Sequence, residues 1–219
     1  MKTVKQSVKL LEPLNRKKIL KVLEKIGRVA YKSEDKITDQ SAASFIAMIV
    51  KRGHLSVLEH ISVTAHVICD RGVSHEWVRH RLAAYTQEST RYCNYSKDKH
   101  GGRITFIEPD FMWNKESIPV PELGLNLQKK DIWETVMGTI EDGYLALIEL
   151  GATPQEARSL LPNSLKTEFF VTMNLRSWLH FFALRTAPGA HPQMREVAIP
   201  LQKTFQKALP EIFGEVGDE

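Results

Sequence analysis

Residues 61–70 read ISVTAHVICD, and the alternation of side chains in this stretch decides the fold class. Every second position is apolar or sulfur-containing: Ile61, Val63, Ala65, Val67 and Cys69. Successive side chains of a strand point to opposite faces of a sheet, so the pattern predicts a strand with one buried face. The chain therefore contains a sheet, and the other strands of that sheet lie elsewhere in the sequence.

On both sides of this strand, helical and strand patterns are intermixed. Apolar residues at helical spacing predict helices at 15–31, 40–52, 129–150, from 154 onward, 175–185 and 191–209. Shorter patterns predict further strands at 2–10, 104–107 and 165–173. No regular βαβ series occurs. The sequence therefore predicts an α+β fold in which helices pack on a central mixed or antiparallel sheet.

One domain, spanning residues 1–219, is expected, because the chain has no internal repeat and a single domain of roughly 200 residues can bury a real core. Residues 93–126 contain Gly101, Gly102 and several prolines, and predict a loop-rich segment. The helix that follows is predicted to bury one apolar stripe. Its residues are Ile132, Val136, Ile140, Leu147 and Ile148.

The composition is that of a globular protein, with 42% hydrophobic and 26% charged residues. A net charge of +4 is too small to indicate nucleic-acid binding by itself. Cys69 and Cys93 lack the spacing of a metal site, and the simple interpretation is a reduced pair of thiols in a cytoplasmic protein. The N-terminal sequence has no apolar targeting segment, and no apolar run approaches the ~20 residues of a membrane span. We expect neither a membrane nor a nucleic-acid partner.

The densest cluster of polar functional groups is RHRLAAYTQESTRY, residues 79–92. Ser74 is predicted to cap a helix that runs through Leu82. This helix would carry Arg79–Arg81 near its C-terminal end, and residues 84–92 would leave it as a loop.

These side chains suit a phosphorylated planar ligand such as a nucleotide. Arginine matches phosphate oxygens through paired N–H donors. Thr86, Ser89 and Thr90 add hydroxyl donors, and the tyrosines at 85, 92 and 95 add flat surfaces with polar tips. A solvated basic surface explains any single arginine better, whereas the cluster as a whole favours ligand binding. Neither a GxGxxG nor a P-loop motif is present.

Two further segments carry candidate functional residues. GHLSVLEH, residues 53–60, holds His54, Ser56, Glu59 and His60. In residues 174–193, Arg176 and His180 are four positions apart and share a helix face, while Arg185 lies near the helix end. No set of His, Cys and acidic residues has convincing ligand spacing, so no metal site is predicted.

Residues 79–92 resemble the signature of the flavin-dependent thymidylate synthases. The matching pattern is Arg79-His80-Arg81, a gap of seven residues, and then Ser89, Thr90, Arg91 and Tyr92. Three further segments resemble segments of that family and occur in the same order. They are GHxSxxEH at 53–60, Arg158 before LLP, and NLRS…LR…H at 174–191. The resemblance covers about residues 20–205. It implies an α+β homotetramer with active sites where subunits meet. It also implies dTMP synthesis from dUMP, with methylenetetrahydrofolate as carbon donor, FAD as hydride carrier and NADPH as reductant.

The resemblance further implies which residues form the site. Those facing the flavin would be His54, Ser56, Glu59, Arg79, His80, Arg81, Asn174, Arg176 and His180. Those lining the dUMP pocket would be Glu76, Arg79, Gln87, Glu88, Ser89, Thr90, Arg91, Arg158 and Arg185. Arg91 and Arg158 would hold phosphate. Arg185 and Ser89 would act at the pyrimidine, Arg185 by stabilising the anionic ring and Ser89 as a positioning donor.

Two positions depart from the family pattern. Members commonly have a serine where this chain has Ala84, and a family asparagine position corresponds to His180. Either change is expected to alter flavin affinity, and His180 would bring a pH-dependent charge to the flavin. Neither change touches Arg91, Ser89 or Arg185, so we expect activity to be retained.

Two other functions remain open from the residues alone. Arginines interleaved with Trp77, Tyr85, Tyr92 and Tyr95 are compatible with a single-stranded RNA-binding module, whose affinity would fall steeply with salt. Cys93, close to Arg91, is compatible with a thiol-dependent nucleotide transferase. The weak net charge opposes the first alternative, and a Cys93→Ala variant would decide the second.

Overall fold

The computed structural model describes residues 1–97, 101–113, 117–120 and 125–214. The helices are α1 (Arg16–Tyr31), α2 (Ser41–Lys51), α3 (Arg71–Trp77), α4 (Lys129–Glu149), α5 (Pro154–Ala157), α6 (Leu175–Arg185), α7 (Pro192–Ala208) and α8 (Pro210–Phe213). The strands are β1 (Lys2–Val4), β2 (Ser7–Leu10), β3 (Ser62–Asp70), β4 (Ala83–Gln87), β5 (Thr105–Ile107), β6 (Ser117–Val120), β7 (Leu125–Gln128) and β8 (Lys166–Asn174). The predicted α+β class is confirmed.

The strand predicted from ISVTAHVICD is confirmed as β3. Its alternate side chains are buried: Val63, Ala65, Val67 and Cys69. β3 is an inner strand of a four-stranded sheet with the order β2-β3-β8-β4. β1 and β5 pair in parallel and β6 pairs antiparallel with β7, so each of these pairs is a separate two-stranded sheet.

The chain divides into two compact units, which are described separately below. Unit 1 comprises Met1–Ser7, Ile68–Trp77 and Gln87–Phe169. Unit 2 comprises Val8–Val67, Val78–Thr86 and Phe170–Glu219. The expectation that residues 1–219 act as one domain stays a prediction.

Helix α1, in unit 2, shows how local sequence fixes an element. The Asn15 side chain accepts a hydrogen bond from the Lys18 backbone N–H at 3.0 Å, which caps the first turn. Lys32 adopts the left-handed conformation (φ 47°), which ends the helix. Ile19, Leu20 and Leu23 form the buried face. The predicted helix at 15–31 is therefore confirmed.

Gly27→Ala is expected to destabilise unit 2 by about 1–3 kcal/mol, because a methyl group there would overpack the contact between α1 and α2. A Cβ at position 27 would lie 2.7 Å from Phe45 Cε1 and 3.1 Å from Phe45 Cζ. The control is Gly138→Ala on α4, where a Cβ meets nothing within 4 Å and helix propensity favours alanine by up to about 1 kcal/mol. Urea unfolding of both variants checks the prediction, and equal midpoints would contradict it.

The helix predicted through Leu82 is wrong. α3 ends at Trp77, and Asp70 rather than Ser74 caps it, since Asp70 Oδ1 accepts from the Val73 N–H at 2.6 Å. Val78 and Leu82 are exposed, so they contribute no buried face that would continue the helix. Residues Ala83–Gln87 form β4 because their backbone groups pair in the sheet, so the loop predicted at 84–92 is wrong in its first part.

The apolar stripe predicted for α4 is wrong in its first two residues. Ile132 and Val136 are 42% and 47% exposed. The buried positions are instead Trp133, Met137, Glu141 and Tyr144. This face buries two aromatic rings, and its Glu141 carboxylate accepts from the Ile104 N–H at 2.8 Å. The larger aromatic area and the satisfied carboxylate decide which side of the helix turns inward.

The loop-rich segment 93–126 is more regular than predicted. The predicted short strand at 104–107 is confirmed as β5, but the segment also carries β6 and the start of β7. The parts at 98–100, 114–116 and 121–124 lie outside the described residues. Of the helices that are described, none has the length and apolar character needed to cross a membrane.

Candidate functional site

In unit 2, a cavity of about 790 Å³ collects most of the residues predicted to face a flavin. Its lining includes Glu59, Arg79, His80, Arg81, Asn174, Arg176, His180 and Arg185. These residues come from three segments of the sequence, at 59, 79–81 and 174–185. The volume is within the range of small-molecule sites.

Helix α6 supplies one wall of the unit 2 cavity. Asn174 caps the helix, and its Oδ1 accepts from the Ser177 N–H at 2.8 Å. Trp178, Phe181 and Phe182 are buried on the core side of α6. Arg176 and His180, about 40° apart around the helix, lie on the cavity side, and Arg185, the last residue of α6, also lines the cavity. The wall that α6 contributes is therefore basic, whereas its core side is aromatic.

Arg185 and His80 form a hydrogen-bonded pair in the unit 2 cavity. Arg185 Nε donates to His80 Nε2 at 3.0 Å. Burial, together with the nearby charges of Arg185 and His180, lowers the pKa of His80 to about 4. His80 is therefore neutral at pH 7, with Nε2 as an acceptor and the proton on Nδ1. Tyr85, whose hydroxyl donates to the His80 carbonyl at 3.1 Å, holds the backbone at this point.

Acidification is expected to destabilise this cluster. The folded pKa of His80 is about 4, whereas an unfolded histidine titrates near 6.5. Only the unfolded state binds the proton between these values, so the free energy of unfolding falls as pH drops from about 6.5 to about 4. A His80→Asn variant should lose less stability over this window than the wild type in thermal unfolding, and a His60→Asn variant is the control. Equal pH slopes in the wild type and His80→Asn would refute this.

Glu59 is the one carboxylate among the residues lining the unit 2 cavity, and it pairs with Arg176 at 2.6 Å. The remaining arginines leave an excess of positive charge. His54 and Ser56 are predicted site residues that do not line this cavity. Both are exposed, and His54 Nδ1 lies 2.5 Å from the Tyr31 hydroxyl.

In unit 1, a second cavity of about 510 Å³ contains two of the predicted dUMP residues, Thr90 and Arg158. Other polar residues in its lining are Arg71, His75, Gln155, Ser159 and Asn163. Two arginines with hydroxyl and amide donors form a site suited to a phosphate group.

Sequence reasoning missed Arg71 and His75, which belong to α3. The Arg71 N–H donates to the carbonyl of Asn163 at 2.9 Å, and this contact joins the start of α3 to the segment after α5. The local signal that could have identified them is the basic pair RGVSH, one helical turn apart and just before Arg79.

The remaining predicted dUMP residues of unit 1 take different positions. The Gln87 amide contacts Ser74 and Thr167 at 3.0 and 3.1 Å. Ser89 Oγ accepts from the Arg91 N–H at 3.3 Å, and the Arg91 guanidinium lies over the Tyr92 ring. Ser89 and Arg91 therefore form a tight turn beside the cavity residue Thr90.

The Glu88 side chain does not join Thr90 and Arg158. It accepts from Tyr95 at 3.0 Å and from Lys166 at 3.0 Å. Glu76 is half-buried on α3. In the described ranges, no three His, Cys, Asp or Glu side chains converge to hold a metal ion.

Comparison with known proteins identifies the family. Residues 13–211 match the family model Thy1, described as thymidylate synthase complementing protein. The flavin-dependent thymidylate synthase of Geobacter sulfurreducens is 32% identical over 84% of this chain and 73% of that protein. The enzyme of the same name from Pyrococcus furiosus is 36% identical over 83% of this chain and 69% of that protein.

A solved structure shows the same fold. The UMP/dUMP methylase PolB from Streptomyces cacaoi, bound with 5-Br dUMP, superposes with a TM-score of 0.74. The match covers 97% of this chain and 95% of that chain, at 23% identity. None of these relatives supports the RNA-binding or Cys93-dependent alternatives. Because the family model matches residues 13–211 of this chain and both relatives are more than 30% identical to it, the chain belongs to the flavin-dependent thymidylate synthases.

Proposed function

We propose that this flavin-dependent thymidylate synthase binds FAD in the unit 2 cavity and the phosphate of dUMP in the unit 1 cavity. The reaction converts dUMP to dTMP with methylenetetrahydrofolate and NADPH. The observation that carries the assignment is the convergence of eight predicted flavin-facing and pyrimidine-facing residues on one cavity. They were chosen from sequence alone and come from three separate segments.

The residues of the unit 2 cavity fit FAD. Arg79, Arg81 and Arg176 have exposed side chains there, and guanidinium forks match the oxygens of a pyrophosphate. The cap of α6 at Asn174 adds a helix N-terminus, which also favours an anion. FAD held by these residues would supply the hydride chemistry of the reaction, with NADPH as the reductant.

Arg185 is proposed to stabilise charge on the pyrimidine. Its hydrogen bond to neutral His80 fixes one edge of the guanidinium, so the cation is held in place before substrate binds. Because His80 accepts this bond at Nε2, it holds its own proton at Nδ1 and takes none from Arg185. Preorganised positive charge near the ring favours the anionic form in which C5 is nucleophilic.

Arg158, Arg71 and Thr90 are proposed to bind the dUMP phosphate. The two guanidiniums supply charge-assisted hydrogen bonds, and the Thr90 hydroxyl supplies a neutral donor. Ser89 and Arg91, in the adjacent turn, are proposed to complete this end of the nucleotide site. The role of Glu88 and Glu76 in substrate binding is proposed from the family resemblance alone.

We propose that the chain acts as one domain in a cytoplasmic homotetramer whose active sites form where subunits meet. Neither Cys69 nor Cys93 forms a disulfide, as is usual in a reducing compartment. Light scattering after size exclusion should give four copies of the 25.0-kDa chain. A single-copy mass would contradict the tetramer.

The purified protein should be yellow after incubation with FAD, and dUMP should accelerate its oxidation of NADPH. Addition of dCMP is the matched control and should leave the NADPH rate unchanged. Absence of bound flavin after incubation with FAD would refute the proposed cofactor site. Flavin binding without any response to dUMP would refute the proposed nucleotide site.

A further inference from the structure

Helix α4, in unit 1, carries an exposed apolar stripe besides its buried face. Ile132 and Val136 are 42% and 47% exposed, and Leu150, where the helix ends, is 85% exposed. Thr139 and Ala146 are exposed as well. These five positions, here named the α4 stripe, lie within about 80° of one another around the helix axis. Contiguous apolar patches of this kind mark surfaces that bind a partner.

The middle of the α4 stripe is apolar although it contains a threonine. The Thr139 hydroxyl donates to the Thr135 carbonyl one turn earlier, at 3.0 Å, so its polar atom is satisfied within the helix and its methyl group is left for contact. Leu160, which follows α5, is 41% exposed and packs on Gly143. A Cβ at position 143 would lie 3.2 Å from Leu160 Cδ1, so Leu160 fills the gap that the glycine leaves in the stripe.

The order of residues along the α4 stripe is self-complementary. With Gly143 included, the positions from 132 to 150 are separated by alternating steps of four and three residues, the spacing of a seam between two packed helices. Positions 132 and 150 are equally far from position 141, and so are 136 and 146. A two-fold axis at position 141 would therefore place Ile132 against Leu150 of an antiparallel second copy. It would also place Val136 against the small Ala146, as a contact made by the same surface on both copies requires.

Charges at the two ends of α4 favour the antiparallel arrangement. Lys129 begins the helix and Glu149 ends it, and both are exposed. In the paired helices, Lys129 of one copy would lie within about one helical turn, measured along the axis, of Glu149 of the other copy. The two helix dipoles would also oppose each other favourably. Asp142 is exposed on the flank of the stripe, so its two copies near the axis remain in water, where their repulsion is screened.

We infer that the α4 stripe is a two-fold contact between two copies of this chain, with the α4 helices antiparallel and position 141 at the axis. The inference rests on the proposed homotetramer and assigns one of the contacts that hold it together. It also accounts for Ile132 and Val136, which helical periodicity placed on an apolar face and which are exposed in the single chain.

Val136→Glu is expected to halve the molar mass measured by light scattering after size exclusion, from four copies to two. The variant would bury an unpaired charge on each side of the contact, and a closed tetramer that loses one of its two-fold contacts separates into dimers. The fold should be retained because the Val136 side chain is exposed, and thermal unfolding verifies this. Glu134→Gln is the matched control and should keep the wild-type mass. It also changes one charge at an exposed position of α4, but about 160° around the helix from Val136.

Cysteine cross-linking tests the direction of the paired helices. In the double variant Ile132→Cys/Leu150→Cys, each new thiol would face the other position of the second copy within disulfide reach. Oxidation with diamide should therefore give a covalent two-chain species on a non-reducing gel. Ile132→Cys alone is the control and should remain a single chain, because its two copies would lie about 27 Å apart along the antiparallel helices.

A wild-type mass for the folded Val136→Glu variant would overturn the inference, and so would an equal loss of mass in Glu134→Gln. Cross-linking of Ile132→Cys alone as fully as the double variant would overturn the antiparallel pairing. A wild type with the mass of one chain would overturn both this contact and the tetramer, whereas dTMP synthesis by that same protein would show that the proposed reaction stands. An assembled wild type that binds no FAD and makes no dTMP would refute the proposed function and leave the α4 contact in place.

Discussion

Arg185→Ala is expected to lower the rate of dTMP formation by about 100- to 1000-fold, the cost typical of removing one preorganised group that stabilises developing charge. The fold should be retained, because Arg185 lies at the last turn of α6 and the core side of this helix is formed by Trp178 and Phe181. Single-turnover measurement of dTMP with saturating dUMP and FAD separates the chemical step from binding.

Two variants control the Arg185 experiment. Arg185→Lys keeps the charge but loses the planar fork, so we expect an intermediate rate. Arg103→Ala removes an exposed guanidinium of unit 1 that lines neither of the two cavities, and should leave the rate unchanged. A wild-type rate for Arg185→Ala would remove this residue from the proposed catalytic role.

Arg158→Ala is expected to weaken dUMP binding by about 10- to 100-fold, since charge-assisted hydrogen bonds to a phosphate are worth roughly 1.5–3 kcal/mol. Arg158 lines the unit 1 cavity with Arg71 and Thr90. Equilibrium binding to the FAD-loaded protein measures the effect directly.

Deoxyuridine, which lacks the phosphate, is the control ligand for the binding experiment with Arg158→Ala. Its affinity should be the same in the wild type and the variant, because the lost contact is to phosphate alone. Arg71→Ala should show the same pattern. An equal loss of affinity for dUMP and deoxyuridine would mean that Arg158 acts through the fold or the base, and would contradict the phosphate assignment.

The sequence predicted elements whose pattern is local. β3 alternates over nine residues, and α6 carries an amphipathic stripe with a capping Asn174, so both were found with nearly correct ends. α4 was found as a helix, but the start of its buried face was assigned to Ile132 and Val136, one position before the buried Trp133 and Met137. Periodicity cannot decide which of two adjacent apolar stripes turns inward when the partner surface lies far away in sequence.

The boundary between α3 and β4 shows a second limit. Residues 78–82 have no strong turn signal, and the strand that follows is fixed by pairing in a sheet whose other members lie elsewhere in the chain. Propensity within the segment favoured continued helix and then loop. Long-range backbone pairing overrode that local preference.

The same distinction applies to the site. Arg176 and His180 were predicted together because helical spacing places them on one face of α6, whereas Arg185 was assigned to the site by the family resemblance. Arg71 and His75 were missed because they reach the unit 1 cavity through contacts between α3 and residues near 163. Glu88 follows Gln87 directly but points to Lys166, as expected for adjacent positions at the end of a strand.

The most direct test of the central claim is the product balance of the FAD-loaded protein with dUMP, methylenetetrahydrofolate and NADPH. A hydride that comes from NADPH through the flavin leaves the folate as tetrahydrofolate. Each dTMP should therefore be matched by one NADPH oxidised and one tetrahydrofolate released, as measured by chromatography of the quenched reaction. Formation of dihydrofolate in equal amount to dTMP, without consumption of NADPH, would contradict the flavin-dependent reaction.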